Sequence, residues 1–272
     1  VSLPKSSSEN SYIPEQVAQD ANEASEELFG SDTVQRNEFR EQLLSLYSWA
    51  KDKDVVVIYN GGGWGEELIE EDAQWGGVVK GIASTLEEWG YDSVVLQYKR
   101  SKGDAAEVMT DIKKTLYGQI LVPGAALVEL ITDIKENLSF FPAKAKGLAA
   151  QVDFLIESIP DLKVIMSGVS WGAVYSNEVM EGCAATHRVY GIEAGVPFWY
   201  RDPTPERTLV MNDNGMVPDK LNKGDIRHIV GAGLSAPFRW VNHRLHGENV
   251  KLSDCVNVPG HEYYWDYPQV QS

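Results

Sequence analysis

Residues 163–182 read KVIMSGVSWGAVYSNEVMEG, and this stretch decides the predicted fold. The apolar run Lys163–Met166 predicts a buried strand, and Ala173–Glu181 predicts a helix. Between them stands a G-x-S-x-G pattern, Gly168–Gly172. In a sharp turn from strand to helix, this pattern presents its serine above the sheet, and its glycines relieve side-chain crowding. The stretch therefore predicts that Ser170 is a nucleophile at the start of a helix.

Strands alternate with helices on both sides of this stretch. The other predicted strands are Val55–Tyr59, Ser93–Tyr98, Val189–Glu193, Thr208–Met211 and Cys255–Val258. The other predicted helices are Glu15–Leu28, Val34–Lys51, Trp75–Trp89, Ala105–Tyr117, Ala125–Leu138 and Leu148–Ser158. The alternation predicts an α/β fold, with a mostly parallel central sheet and helices on both faces. We expect a disordered lead-in over residues 1–12, helices that pack on the core over 13–52, and one large domain over 53–272.

Composition limits the classes of partner. Apolar residues make up 43% of the chain, which is enough for a large core. The formal net charge of −16 predicts that the chain repels nucleic acid and, on average, an anionic membrane surface. The sequence contains no apolar run of the roughly 18 residues that a transmembrane helix needs. The chain begins without Met and runs into a serine-rich lead-in, which favours an exported or anchored protein over a cytoplasmic one.

A glycine-rich loop, Asn60–Gly65, follows the first predicted strand. Glycines let backbone N–H groups approach a substrate without side chains in the way. We expect Gly61, Gly62 or Gly63 to supply one donor of an oxyanion hole and Trp171 to supply the other. A phosphate-binding loop would need a following Lys-Ser/Thr pair or the dinucleotide glycine spacing, and the sequence has neither. A flexible turn is the structural alternative.

A serine hydroxyl needs a base, and imidazole has a pKa close to working pH. The sequence has five histidines: His187, His228, His243, His246 and His261. His261 is the predicted base because it stands in a Gly-His turn after the last predicted strand. His187 follows the nucleophile helix too closely. His243 and His246 have no third ligand nearby, so we expect a solvated helix face and no metal site.

The acid of the triad is expected in the turn after Thr208–Met211, which reads NDNGMVPD over residues 212–219. A carboxylate there would orient the histidine and stabilise its charged form. Asp213 is the first candidate and Asp219 the reserve. Either aspartate could instead be a turn-forming or helix-capping residue.

These features, in this order, resemble the α/β-hydrolase superfamily in its esterase, lipase or lysophospholipase-like form. The resemblance covers about residues 53–267 and implies that Ser170 cleaves a carboxylic ester or related acyl bond of a small-molecule substrate, with no cofactor. Members usually carry histidine where this chain has Asn60. Many also place the acid three residues before the valine of a Val-Pro pair, which here is Asn214. The acid is therefore the weakest part of the resemblance.

The resemblance also implies where the substrate binds. Trp64, Phe198, Trp199 and Tyr200 are the predicted pocket residues, and a lid or inserted segment is expected around residues 220–250. Trp75 is a further candidate for the pocket, although aromatic side chains are more often part of the core. Two alternatives remain open: a non-catalytic binding protein with this fold, and a peptidase or thioesterase with the same triad.

Overall fold

The computed structural model describes residues 12–62, 68–98, 141–200, 202–248, 250 and 255–271. The strands are β1 Val55–Asn60, β2 Ser93–Gln97, β3 Lys163–Val169, β4 Val189–Ala194 and β5 Thr208–Met211. The helices are α1 Glu15–Phe29, α2 Thr33–Ala50, α3 Trp75–Glu88, α4 Phe141–Ser158, α5 Trp171–Gly182, α6 Ile226–Leu245 and α7 Pro268–Gln271. A short 3-10 helix, Thr186–Arg188, leads into β4.

The described strands form one sheet with the order β2-β1-β3-β4-β5. Every neighbouring pair is parallel. The register pairs Asn60 with Gly168, Gly168 with Glu193, and Ala194 with Met211, so the carboxyl ends of four strands meet at one edge. After β1 the chain crosses to β2 on one side and later to β3 on the other. Ligands of such sheets bind at the carboxyl edge where the strand order reverses.

Helices cover both faces of the sheet, because successive strand residues point to opposite sides. On one face, Val56 and Ile58 of β1 belong to a core cluster with buried residues of α1, α2, α4 and α5. On the other face, Val55 and Val57 pack with α3 and with Tyr263 near the carboxyl terminus. The predicted α/β arrangement of a parallel sheet between helices is therefore confirmed.

The predicted strand Cys255–Val258 is wrong. This segment is irregular after one 3-10 residue, and it forms no ladder with the described strands. The guanidinium of Arg239 on α6 donates to the carbonyls of Cys255 at 3.2 Å and Asn257 at 3.5 Å. Because the Arg239 side chain binds these carbonyls, α6 holds the loop before His261 in place.

Other predicted elements lie close to the observed ones. α4 begins at Phe141, ahead of the predicted start at Leu148, and α5 begins directly after Ser170. The predicted helices Ala105–Tyr117 and Ala125–Leu138 fall outside the described residues. Around the expected lid segment the structure has one long helix, α6. Among the described residues, no helix is long and apolar enough to cross a membrane.

Candidate active site

Ser170 lies in a strained turn between β3 and α5. Its backbone has φ 55° and ψ −119°. Residues other than glycine rarely adopt a positive φ, and such a conformation costs on the order of 1–3 kcal/mol. The positions of Gly168 and Gly172 have no room for a side chain. A Cβ on Gly168 would lie 2.5 Å from the carbonyl carbon of Gly172, and a Cβ on Gly172 would overlap the carbonyl oxygen of Asn60. The turn therefore has the geometry expected of a nucleophile elbow.

The loop after β1 lies directly against this turn. The Asn60 side chain donates from Nδ2 to the Ser176 hydroxyl of α5 at 2.9 Å, which ties the end of β1 to the helix that follows Ser170. A Cβ on Gly62 would lie 3.3 Å from Cγ1 of Val169. Gly61, Gly62 and Trp171 thus meet at the carboxyl edge, as an oxyanion hole requires. Gly63 and Trp64 lie outside the described residues.

Asp219 and His261 form a hydrogen-bonded pair with 2.8 Å between Oδ2 and Nδ1. Oδ2 also accepts from the Tyr263 hydroxyl at 2.8 Å, and Oδ1 accepts from the backbone N–H groups of Leu221 and Asn222. The carboxylate is fully buried, whereas the imidazole is partly exposed. Burial alone would raise the pKa of Asp219, but these donors and the nearby imidazole hold it below its usual value of 3.8. The Asp219 carboxylate therefore stays charged and is placed to accept a hydrogen bond from Nδ1 of His261.

Gly195 brings this pair next to Ser170. The Ser170 N–H donates to the carbonyl of Ala194 at 2.9 Å, and Gly195 follows at once. A Cβ on Gly195 would lie 2.7 Å from Cε1 of His261 and 2.9 Å from Oδ2 of Asp219, so the imidazole rests on the glycine backbone. No hydrogen bond joins His261 to the Ser170 hydroxyl among the described residues. In sites without substrate this contact is often long and tightens when substrate binds.

The structure places the reserve acid, Asp219, beside His261, and gives Asp213 another role. Asp213 Oδ1 accepts from the Gly215 N–H at 2.9 Å, which stabilises the turn. Asn214, at the position where the resemblance places the acid, is buried and accepts from the N–H groups of Met216 and Val217. Its Nδ2 donates to the carbonyl of Glu262, which fixes the residue after His261. Asp213 and Asn214 therefore shape the loop that positions Asp219.

No protein-family model matches this chain, and no curated protein matches its sequence.

Aromatic rings lie beside the elbow. The Trp199 ring is 5.7 Å from that of Trp171 and 5.1 Å from that of Phe198. Tyr200 points away toward α5, where its hydroxyl donates to Glu178 at 3.4 Å. Trp199 and Phe198 thus form an apolar wall beside the ring of Trp171, the residue that follows Ser170. Trp75, the further pocket candidate, is fully buried in the core and packs edge-on against Tyr263.

Two positioning residues were missed by the sequence analysis. Tyr263 contacts the acid, and only its nearness to His261 in the sequence hints at this. Tyr59 lies under the glycine-rich loop after β1, since a Cβ on Gly61 would be 2.7 Å from its hydroxyl. That hydroxyl donates to Asp72 at 2.7 Å, and Asp72 also accepts from Gln74 and Trp75 at the start of α3. One carboxylate thus joins α3 to the strand that carries the loop.

The remaining histidines and cysteines lie in other surroundings. His243 and Glu248 are 2.5 Å apart on an exposed surface, and His246 lies at the end of α6. Within the described ranges, no group of His, Cys, Asp and Glu side chains could hold a metal ion. Cys183 and Cys255 are buried and form no disulfide. Burial raises the pKa of the Cys183 thiol to about 12, so it remains protonated and unreactive.

Proposed function

We propose that this protein is a serine hydrolase with an α/β-hydrolase fold, which cleaves a carboxylic ester or related acyl bond. One observation carries the proposal: a buried Asp219–His261 pair rests on Gly195, and Gly195 follows the residue whose carbonyl binds the N–H of Ser170. A strained serine, an imidazole and a charged carboxylate at one sheet edge are the parts of a nucleophilic triad.

Acylation begins at Ser170. Asp219 holds the imidazole with Nδ1–H toward the carboxylate, so that Nε2 accepts the hydroxyl proton as Oγ attacks the substrate carbonyl. The new bond joins Oγ to the carbonyl carbon, and the carbonyl electrons move to its oxygen. The backbone N–H groups of Trp171 and of the loop after β1 stabilise that oxyanion. His261 then gives its proton to the leaving alcohol as the acyl–oxygen bond breaks.

Deacylation repeats these steps with water. His261 takes a proton from water, the hydroxide attacks the acyl carbon, and Ser170 leaves with a proton returned from the imidazole. His261 is partly exposed, and the Trp199–Phe198 wall beside Trp171 would contact the acyl group. The reaction needs no metal or organic cofactor.

A fluorophosphonate probe tests the nucleophile, because it labels only activated serines. We expect the wild-type protein to be labelled and to hydrolyse short p-nitrophenyl esters, and the Ser170→Ala variant to do neither. If the wild-type protein shows neither labelling nor hydrolysis, the proposal is wrong and a non-catalytic binding role takes its place. A panel of ester, thioester and peptide substrates then identifies the bond that is cleaved.

The two aspartates of the acid loop provide a matched pair of variants. Asp219→Asn removes the negative charge beside Nδ1 and favours the wrong imidazole tautomer, so kcat should fall by about 10³- to 10⁴-fold. Asp213→Asn keeps an acceptor for the Gly215 N–H and should leave kcat within about 3-fold of wild type. Steady-state kinetics on one ester measures both. A larger loss in Asp213→Asn than in Asp219→Asn would contradict the assignment of the acid.

A further inference from the structure

A row of three paired residues, Asn60 of β1, Gly168 of β3 and Glu193 of β4, crosses the sheet directly under α5. Paired residues of parallel strands point to the same face of the sheet. That face is covered by α5, since Asn60 donates to Ser176 of this helix. A Cβ on Gly168 would lie 2.5 Å from the carbonyl carbon of Gly172, so α5 lies closest to the sheet over Gly168. The Glu193 side chain is therefore enclosed between β4 and α5, and it is completely buried.

Asn177 is the helix residue beside Glu193. It follows Ser176 on α5, so Ser176 meets Asn60 on one side of Gly168 and Asn177 meets Glu193 on the other. Oδ1 of Asn177 and both carboxyl oxygens of Glu193 are buried without a hydrogen-bond partner among the described residues. Buried acceptors without a donor are costly. A proton on the carboxyl group turns one of these three acceptors into a donor.

Within the described ranges, no charged group favours an ionised Glu193. The elements packed against β4 are β3, β5 and α5, and β5 has no titratable side chain. The groups on the other two and at the end of β4 are Lys163, Tyr175, Glu178, Glu181, Asp219 and His261. Lys163 lies five residues before Gly168 on β3, more than about 15 Å along the strand. Burial raises the pKa of Glu193 to about 8, and only the Asn177 side chain opposes this rise.

We propose that Glu193 is a positioning residue: as a neutral acid it pairs with the Asn177 amide and holds α5, with Ser170 at its start, against β4. A protonated carboxyl group has one donor and one acceptor, which match Oδ1 and Nδ2 of an amide. The next residue of β4, Ala194, accepts from the N–H of Ser170 at 2.9 Å, so one strand end holds the elbow by backbone and side chain together. Loss of the proton leaves a buried charge without a cation, so the carboxylate draws in water and loosens α5.

Hydrogen exchange tests the positioning without reference to catalysis. Glu193→Gln keeps a donor and an acceptor for Asn177 but cannot ionise. At pH 9, the amides of residues 168–176 should exchange about 5-fold faster or more in the wild-type protein than in Glu193→Gln, and at pH 6.5 the two proteins should exchange alike. The amides of α1 are the internal reference and should change less. Equal exchange at pH 9, or a rise that is uniform along the chain, overturns the proposal.

Steady-state kinetics on one ester tests the effect on turnover, which rests on the proposed function. The ratio of wild-type kcat to that of Glu193→Gln should fall by about 10-fold from pH 7 to pH 9, because a group with a pKa of about 8 is about tenfold less protonated at pH 9. KM should stay within about 2-fold, since Glu193 touches no substrate. His261 titrates in both proteins and cancels from the ratio. Glu181→Gln, at an exposed site of α5, is the matched control and should keep a constant ratio to wild type.

Asn177→Ala removes the other member of the pair. It should lower kcat at pH 7 by about 10-fold with little change in KM, and circular dichroism should show that the helices are kept. A kcat ratio that stays constant between pH 7 and pH 9 overturns the role of Glu193 in turnover. A wild-type protein that shows the local exchange effect but hydrolyses no ester supports the Glu193–Asn177 pair and contradicts the proposed function, so the two failures are distinguishable.

Discussion

Asp219 receives four hydrogen bonds, two on each carboxylate oxygen. Two come from backbone N–H groups that the following turn fixes, one from the Tyr263 hydroxyl and one from the imidazole. A carboxylate in this state has little freedom to rotate, so His261 is held in one tautomer and one orientation. The orientation of His261, the proposed base, thus depends on residues that would not themselves touch a substrate.

Tyr263→Phe tests this dependence at the scale of one hydroxyl. The change removes one donor from Oδ2 of Asp219 and keeps the ring that packs on Trp75. Because this donor helps to lower the pKa of Asp219, the pKa of that carboxyl should rise toward 3.8 in the variant, so its ionisation should contribute less to stability. A hydrogen bond to a charged group contributes about 1.5–3 kcal/mol, so kcat/KM should fall by about 10-fold or more. Urea unfolding and the kinetics of ester hydrolysis measure the two effects.

Tyr267→Phe is the control for this variant. Tyr267 lies in the same carboxyl-terminal segment and packs on the Tyr264 ring, 5.2 Å between centroids. Its kinetics should match those of wild type. If Tyr263→Phe keeps the wild-type kcat/KM and only its unfolding temperature changes, the tyrosine has a structural role and does not position Asp219.

At the scale of elements, the site depends on how β1 and α5 are joined. The Asn60–Ser176 hydrogen bond is buried and connects β1, which leads into the glycine-rich loop, to the helix that begins after Ser170. Asn60 thus fixes two elements relative to each other. The relative position of the oxyanion donors and Ser170 is set by this contact and by the close approach of Gly172 to Asn60.

Ser176→Ala should therefore weaken both stability and catalysis. The variant leaves the Asn60 amide buried without its acceptor, which costs about 1–3 kcal/mol in the free energy of unfolding. Urea unfolding measures this cost, and kcat should also fall as the loop loses its anchor. Ser167→Ala is the matched control: this serine is equally buried, but its hydroxyl has no hydrogen-bond partner among the described residues. Equal stability losses in the two variants would show that the Asn60–Ser176 contact contributes little.

The order of the elements was predictable because each follows from local pattern. Thr208–Met211 was predicted with the observed bounds, since its apolar run ends at a turn of Asn, Asp and Gly. Cys255–Val258 has a similar apolar pattern but is not a strand, because Arg239, distant in the sequence, binds its carbonyls. A strand needs a neighbour with unpaired backbone groups, and no pattern within four residues reveals whether one is present.

At the scale of the whole molecule, the candidate site is formed by contacts between distant parts of the chain, which a local sequence pattern does not reveal. Ser170 was predicted because its elbow is a local turn, whereas the choice between Asp213 and Asp219 depends on which carboxylate the loop turns toward His261. Asn214 decides this, because its side chain bonds both to its own turn and to Glu262. Tyr263 and Gly195 were not predicted for the same reason, since each acquires its role from a partner far away in sequence.

Glu193 links the stability of the whole molecule to pH. It lies in β4, one residue before the carbonyl that binds Ser170, and is completely buried. Neither carboxyl oxygen has a hydrogen-bond partner among the described residues. Burial raises the pKa of Glu193 from 4.5 to about 8, and the nearby Asn177 side chain offsets only part of this rise. The folded protein therefore keeps this carboxyl protonated at neutral pH.

Because the folded state binds this proton more tightly than the unfolded state, the protein should lose stability as pH rises from about 4.5 to about 8 and change little above that range. At about 1.4 kcal/mol for each pH unit, the total loss is on the order of 5 kcal/mol. Asp219, whose pKa is lowered, contributes the opposite dependence below pH 3.8 and leaves this window unaffected.

Glu193→Gln cannot ionise, so its free energy of unfolding should change far less between pH 5 and pH 8 than that of wild type. Urea unfolding at several pH values measures the difference, with Glu157→Gln, at an exposed site of α4, as the control that should keep the wild-type slope. Parallel curves for wild type and Glu193→Gln would mean that Glu193 is already ionised in the folded protein.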